Sequence, residues 1–208
     1  MAIKKYTNPN KYLMKGIVNL NVSEIMRNAG TKKAIYWDTS LNKYHKRAVC
    51  LIEQLYGYSD VKLFSTRGYV TFEQNKKDKG VSNSRHLYKD GKSAHDHYYT
   101  GIKKGKRVDI PNEIVGGCYQ IADCLGIELI RGGRAVHIDN RKTKWFAKQR
   151  LVNGSYKYDT YSTFFNKSNP RPKIKYKKKK YEVYGYRVIG NKFRVKINGK
   201  LKWVKVAK

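Results

Sequence analysis

Hydrophobic residues recur at helical spacing in three stretches of this 208-residue chain. In each stretch a residue that can cap a helix precedes the periodic positions, and a glycine that can adopt a left-handed backbone follows them. These signals predict helices over residues 21–30, 39–57 and 112–126. His45 lies beside the apolar stripe of the second helix, where we expect it to be structural.

Alternation of apolar and polar residues predicts strands at 61–65, 107–110, 128–130 and 135–139. Residues 193–206 alternate on both sides of Asn198-Gly199, which predicts a hairpin with a two-residue turn. Residues 73–107 are polar and rich in Gly and Lys, with no sustained period. We interpret them as a long loop, and such loops in compact domains are usually functional. The fold class predicted is α+β.

The strand at Gly133–Asn140 carries unusual side chains for a buried element. Its alternation places His137 and Asp139 on one face, and Val136 and Ile138 on the other. A histidine that forms a hydrogen bond with a nearby aspartate explains this pattern structurally. A metal or catalytic site explains it functionally.

Composition adds a strong charge. Lys and Arg number 46 against 15 Asp and Glu, a net charge of +31, which favours an anionic partner such as nucleic acid or the phosphate-bearing polymers of a bacterial wall. Cys50, Cys118 and Cys124 lack the spacing of a thiolate metal site, and we expect them to be reduced, small hydrophobic residues. The sequence shows neither a signal peptide nor a membrane-spanning segment, so we expect synthesis in the cytoplasm.

Changes in composition divide the chain into four parts. Residues 1–18 form a basic lead-in, 19–150 a main domain, 151–172 a linker that includes Asn169-Pro-Arg-Pro, and 173–208 a small basic β module. The last part has one acidic residue, Glu182. We expect it to anchor the protein to an anionic polymer.

Several short motifs occur in an order known from one enzyme family. They are Asn19-Leu-Asn-Val-Ser-Glu-Ile-Met-Arg, Gly68-Tyr69, Asn75, Asn83-Ser84-Arg85-His86, Val108-Asp109-Ile110, Leu125-Gly126 and Val136-His137-Ile138-Asp139. In this order the chain resembles the zinc D-alanyl-D-alanine carboxypeptidases and L-alanyl-D-glutamate endopeptidases, as found in phage endolysins. The match covers about residues 19–150. It implies the Hedgehog/DD-peptidase-like fold and a zinc peptidase that cleaves peptidoglycan.

The resemblance also implies a ligand set of two histidines and one aspartate. His86 and His137 match the family's histidines, and Asp109 is the preferred aspartate because of its local context, with Asp96 as the alternative. Such a set leaves one tetrahedral position on zinc open, and water bound there has a pKa lowered to about 7.

The chain departs from the family at two positions. Arg134 stands where relatives carry a catalytic carboxylate, so Asp139 is the expected substitute, with Asp123 and Glu128 as weaker candidates. Val70 stands where relatives carry a substrate-binding arginine, and Arg67 is the nearest replacement.

The expected function is therefore zinc-dependent hydrolysis of a wall stem peptide, with action at the bacterial cell wall. Peptidoglycan and anionic wall polymers are the expected partners. The alternatives are an inactive relative that binds wall peptides, and a basic nucleic-acid-binding protein.

Overall fold

The computed structural model describes residues 3–16, 20–130 and 135–206. Within these ranges the chain forms three short 3-10 helices and four α-helices, which are α1 (Val22–Ala29), α2 (Asn42–Tyr56), α3 (Phe72–Lys77) and α4 (Asn112–Ile121). The start of α1 follows from a capping box, because Asn21 Oδ1 accepts from the Glu24 amide and the Glu24 carboxylate accepts from the Asn21 amide. Gly30 and Gly57 end α1 and α2 in the left-handed conformation, as predicted.

The strands form one large sheet and three smaller ones. Their bounds are β1 (Ile3–Tyr6), β2 (Tyr12–Met14), β3 (Leu20–Asn21), β4 (Ile35–Asp38), β5 (Ser59–Arg67), β6 (Ala94–Lys103), β7 (Lys106–Asp109), β8 (Gly126–Leu129), β9 (Val136–Asp139), β10 (Trp145–Val152), β11 (Ser155–Tyr161), β12 (Lys173–Tyr176), β13 (Lys179–Arg187), β14 (Lys192–Ile197) and β15 (Lys200–Lys205).

The large sheet has seven strands in the order β11-β10-β8-β9-β6-β5, with β7 paired to β6. Its pairs are antiparallel except for β8 with β10. Side chains of α2 and α4 pack against one face, and this contact buries the main core. The other face is left to the polar residues described below. The α+β class is confirmed.

The prediction of a long loop over residues 73–107 is wrong. The segment contains most of α3, all of β6 and the first half of β7. The apolar period was missed because the inward positions of β6 are His95, His97 and Tyr99, which are fully buried although two of them are polar. A strand whose buried face is polar has no hydrophobic alternation to detect.

Two predicted boundaries also need correction. The lead-in is ordered where it is described, since β1 pairs with β4, β2 pairs with β3, and Leu13 and Met14 are buried. The predicted linker at 151–172 begins inside β10 and includes all of β11.

The C-terminal β module is a four-stranded antiparallel sheet, β12-β13-β14-β15. Asn198 and Gly199 turn between β14 and β15 with positive φ at both residues, which confirms the predicted hairpin. Phe193 and Val195 are buried in a core that is continuous with that of α2 and α4. The Gln54 side chain of α2 also donates to the Tyr186 hydroxyl at 3.2 Å. The module is therefore packed on the main domain.

Cys50, Cys118 and Cys124 form no disulfide among the residues that the structure describes, and Cys118 and Cys124 are buried. In the described ranges, no helix combines the length and the apolar character needed to cross a membrane.

Candidate metal centre

Four polar side chains lie in one row across the open face of the large sheet. Arg67 of β5 pairs with Asp96 of β6, Asp96 pairs with His137 of β9, and His137 pairs with Glu128 of β8. Residues paired directly across neighbouring strands project to the same side of a sheet. The row is therefore a consequence of strand register, because its members come from four separate strands.

His86 approaches this row from the loop that precedes β6. Its Nε2 lies 3.2 Å from Asp96 Oδ1, and His137 Nδ1 lies 2.7 Å from the same oxygen. One ligand atom from each of these three residues lies within 4.8 Å of the other two, in a group that could hold a metal ion. His86 is buried, and Asp96 and His137 are mostly buried.

Hydrogen bonds on the far side of each ring set the histidine tautomers. His86 Nδ1 lies 2.8 Å from the Gly68 carbonyl oxygen, which can only accept, so Nδ1 carries the proton and Nε2 presents its lone pair to the group. His137 contacts a carboxylate at each ring nitrogen, Asp139 Oδ2 at 3.2 Å from Nε2 and Asp96 Oδ1 at 2.7 Å from Nδ1, so Nδ1 must release its proton before it can act as a metal ligand. Partners of this kind orient the ligands of metal sites in proteins.

The structure brings Asp96, not Asp109, to the two histidines. Asp109 is exposed on β7 and pairs with Thr100, four residues along β6 from Asp96 and so about 13 Å away along the strand. The reason is the tight turn at Lys104-Gly105, which folds β7 back on β6 only as far as Thr100. The preference for Asp109 is therefore corrected in favour of the alternative.

Asp139 is held as a permanent carboxylate. It accepts from Arg141 Nε at 2.8 Å, lies 3.4 Å from Arg85 Nε and contacts His137. Burial alone would raise its pKa, but His137 and Arg141 outweigh burial and hold the pKa well below its usual range. A carboxylate with such partners accepts a proton less readily than an isolated one, and the contact with His137 is of the kind that orients a metal ligand.

Charges within the group favour a cation. Burial opposes ionisation of His137, but Asp96 and Asp139 outweigh it and raise its pKa to about 10. Burial likewise acts to raise the pKa of Asp96, and the His86 and His137 imidazoles hold it well below the usual range. The carboxylates of Asp96 and Asp139 thus give this group a local negative potential within a strongly basic protein.

Glu128, one of the weaker sequence candidates, lies in the row of polar side chains. It pairs directly with His137, is 7% exposed, and has a pKa that burial raises to about 7 despite the opposing effect of His137. In the sequence, Glu128 stands out as a single carboxylate in the otherwise apolar run Gly126–Leu129. His137 is likewise a polar residue between apolar neighbours of its strand. Asp123, the other weaker candidate, lies apart from this group, 3.5 Å from Arg194 of the C-terminal module. Arg134 lies outside the described residues.

Arg67 lies at the end of the row but is already engaged. Its Nη1 lies 2.9 Å from Asp78 Oδ2, and its Nη2 donates to Asn75 Oδ1 at 3.0 Å. Its Nε is buried and has no hydrogen-bond partner in the described structure.

A second histidine group lies on the opposite face of β6. His45 of α2 joins His95 and His97, all three are fully buried, and their ligand atoms are also close enough to hold a metal ion. His95 and His97 flank Asp96 in sequence, so β6 presents one set of polar residues to each of its faces.

Hydrogen bonds satisfy this second group without a metal. His97 Nδ1 lies 3.2 Å from the His95 carbonyl, so it donates there and its Nε2 accepts from the Tyr119 hydroxyl. The Tyr119 oxygen accepts from His45 Nδ1 at 2.8 Å, His45 Nε2 accepts from His95 Nδ1 at 3.1 Å, and His95 Nε2 accepts from Ser65 Oγ at 2.9 Å. All of these hydrogen bonds are compatible with one set of neutral tautomers for the three histidines. Burial is the first cause that keeps the pKa of each imidazole low, to about 3 for His97.

Comparison with protein-family models finds no match, and neither the curated proteins nor the solved structures searched contain one.

Proposed function

We propose that this chain is a zinc peptidase of the bacterial cell wall. The observation that carries the proposal is the convergence of His86 Nε2, Asp96 Oδ1 and His137 Nδ1 on the open face of the sheet. Two imidazoles and one carboxylate are a donor set used by catalytic zinc. The motif order described above supports the finer assignment to the carboxypeptidase and endopeptidase family and to its fold.

The donor atoms fit zinc in chemistry and in spacing. Tetrahedral ligands about 2.05 Å from zinc are separated by about 3.4 Å. His86 Nε2 lies 3.2 Å from Asp96 Oδ1, near that value, and His137 Nδ1, now 2.7 Å from the same oxygen, would move outward by about 0.7 Å when zinc replaces its proton. Both histidines have their remaining ring nitrogen engaged by Gly68 or Asp139. When bound, zinc supplies Lewis-acid chemistry, polarising a carbonyl group and making water more acidic.

Each neighbouring residue has a distinct task in this proposal. Glu128 lies beside His137 on the same face, so it takes a proton from the attacking water and passes it to the leaving amine. Asp139 holds the His137 ring in place. Arg67, at the other end of the row, supplies positive potential toward an anionic part of the substrate, although Asp78 offsets part of its charge. Glu128 also removes the main reason for considering an inactive relative, which was Arg134.

The net charge of +31 supports a wall target. Exposed lysines on β12 and β15 of the C-terminal module can engage repeated phosphates of wall polymers through long-range attraction. In this proposal the protein is made in the cytoplasm and acts after release to the wall.

The test measures zinc content and activity together. The purified protein is expected to hold about one zinc per chain, to release peptides from isolated walls, to stop after chelation and to recover when zinc is restored. Release of peptides that chelation leaves unchanged would contradict the proposal, as would a protein that binds no zinc at micromolar concentration.

The same charge supports a second candidate, a nucleic-acid-binding protein, since Lys and Arg neutralise phosphates in a salt-dependent manner. Competition between duplex DNA and isolated walls for the protein separates the two candidates. Preference for DNA, with no zinc bound, would favour the second.

A further inference from the structure

The row of site residues continues beyond Glu128 onto the hairpin formed by β10 and β11. Glu128 pairs with Ala147 of β10, and Ala147 pairs with Thr160 of β11. Three strand spacings of about 4.8 Å place Thr160 about 14 Å from His137 on the same face. The sheet therefore continues from the candidate metal group onto this hairpin without a break.

The face of the hairpin that adjoins the site carries no charged side chain. The two-residue alternation of each strand and the register between the strands decide which side chains lie on this face. The larger ones, which we call the hairpin strip, are Trp145, Gln149, Leu151, Tyr156, Tyr158 and Thr160. The opposite face carries Lys148, Arg150, Lys157 and Asp159. In a protein with 46 Lys and Arg residues, an uncharged strip beside the site is unusual.

The hairpin strip is also exposed and aromatic. Tyr156 is 60% exposed, Tyr158 48% and Leu151 40%. The rings of Tyr158 and Trp145 lie 5.8 Å apart between centroids. Burial, followed by the nearby Glu128 carboxylate, raises the pKa of Tyr158, consistent with the closeness of the strip to the metal centre.

This chemistry excludes one type of ligand and fits another. A phosphate backbone needs cations along the surface that it follows. The hairpin strip itself has none, and the Arg141 guanidinium that stacks on the Trp145 ring is already paired with Asp139. Tyrosine and tryptophan combine an apolar ring with a polar tip, and Gln149 and Thr160 add hydrogen-bonding groups. Such a surface suits a pyranose ring, which has apolar C–H faces and polar hydroxyl and acetamido groups at its edge.

We propose that the hairpin strip binds the uncharged N-acetylated sugar that adjoins the peptide being cut. This inference rests on the proposed function, since it places the glycan beside the metal centre. The sugar then positions the attached peptide over the row formed by Asp96, His137 and Glu128. Binding energy from a part of the substrate that does not react can be used in this way to align the bond that does.

The experiment compares two substrates that differ only in the sugar. One is a wall stem peptide, and the other is the same peptide linked to the N-acetylated disaccharide. Tyr158→Ala is expected to raise KM for the linked substrate about tenfold, which corresponds to about 1.4 kcal/mol, and to leave the free peptide unchanged. Tyr12→Ala is the matched control, because Tyr12 is also 48% exposed but lies in the β2–β3 sheet. It is expected to affect neither substrate.

Equal losses on both substrates, or none on either, would overturn the inference. Titration of the full-length protein with the free disaccharide, followed by NMR, gives a readout that does not require cleavage. Wild type is expected to bind it, and Tyr158→Ala to bind it at least tenfold more weakly, with or without zinc. If wild type cuts no peptide yet binds the disaccharide, the proposed function fails and the sugar site stands. If the disaccharide does not bind, or if Tyr158→Ala impairs binding of a single-stranded oligonucleotide instead, the sugar site is wrong.

Discussion

Asp96 and His137 face each other across the antiparallel pair of β6 and β9, with Asp96 Oδ1 2.7 Å from His137 Nδ1. This pairing selects one aspartate from the two that the motif order allowed. It also joins residues 41 positions apart in sequence through a direct side-chain contact.

Replacing each aspartate by alanine tests whether Asp96 or Asp109 is the metal ligand. Asp96→Ala is expected to abolish zinc binding and cleavage, because it removes the anionic ligand between His86 and His137. Asp109→Ala, on exposed β7, should retain both zinc and activity. Zinc content by elemental analysis, with circular dichroism to verify folding, distinguishes the two variants. Loss of zinc in Asp109→Ala alone would restore the original preference.

Glu128→Gln is expected to lower kcat by about 10²- to 10⁴-fold and to leave zinc content unchanged, because glutamine keeps the shape of the side chain but cannot accept the proton. Glu113→Gln, at an exposed glutamate on α4, is the matched control and should retain full activity. Normal turnover by Glu128→Gln would mean that another group carries the proton.

Asp139→Asn tests whether Asp139 carries a proton during the reaction or orients the His137 ring. Because Asp139 holds the His137 ring, the variant is expected to bind zinc about 10- to 100-fold more weakly and to recover activity at high zinc concentration. Glu128→Gln should not recover. Failure of Asp139→Asn to recover while its zinc site is full would make Asp139 the proton carrier, as the sequence first suggested.

Stability should fall in mild acid because of His45. Burial first, and then His97 and His95, holds its pKa well below 6.5 in the folded protein, and Tyr99 and Tyr119 complete its surroundings. Below about pH 6.5, His45 takes up a proton in the unfolded chain but not in the folded protein. Its contribution to the free energy of unfolding is therefore present above that pH and is lost as the pH falls. The slope approaches about 1.4 kcal/mol per pH unit for each such group.

Urea unfolding of wild type and His45→Gln between pH 7.5 and 5 measures this effect. The free energy of unfolding should depend less on pH in the variant, even if its value at pH 7.5 is lower. Identical slopes would show that His45 does not contribute.

The C-terminal module should be tested by charge exchange rather than deletion. Deletion would expose the core around Phe193 and Val195, so it is expected to lower Tm and to reduce cleavage of every substrate. Changing the exposed residues Lys175, Lys200 and Lys202 to glutamate leaves that core intact. Wall binding should weaken and lose much of its salt dependence, while cleavage of a soluble peptide stays unchanged. Unaltered wall binding would contradict an electrostatic anchor.

Local signals in the sequence were sufficient for several elements. The Asn21 cap and Gly30 located α1, Gly57 located the end of α2, and Asn198-Gly199 located the last hairpin, because each of these depends on the backbone preferences of a few adjacent residues. The motif order likewise singled out His86 and His137, and both belong to the metal group.

Tertiary structure decided which carboxylates accompany those histidines. Asp96 and Glu128 were present in the sequence as an alternative and a weaker candidate, but their places beside His137 depend on the register of β6, β9 and β8. Register is set by the packing of a whole strand, since a shift of one residue would turn each side chain to the opposite face. The inward face of β6 is a hydrogen-bonded histidine network rather than an apolar stripe. Its hydrogen-bond partners come from α2 and α4, so the sequence of β6 alone did not predict a buried strand.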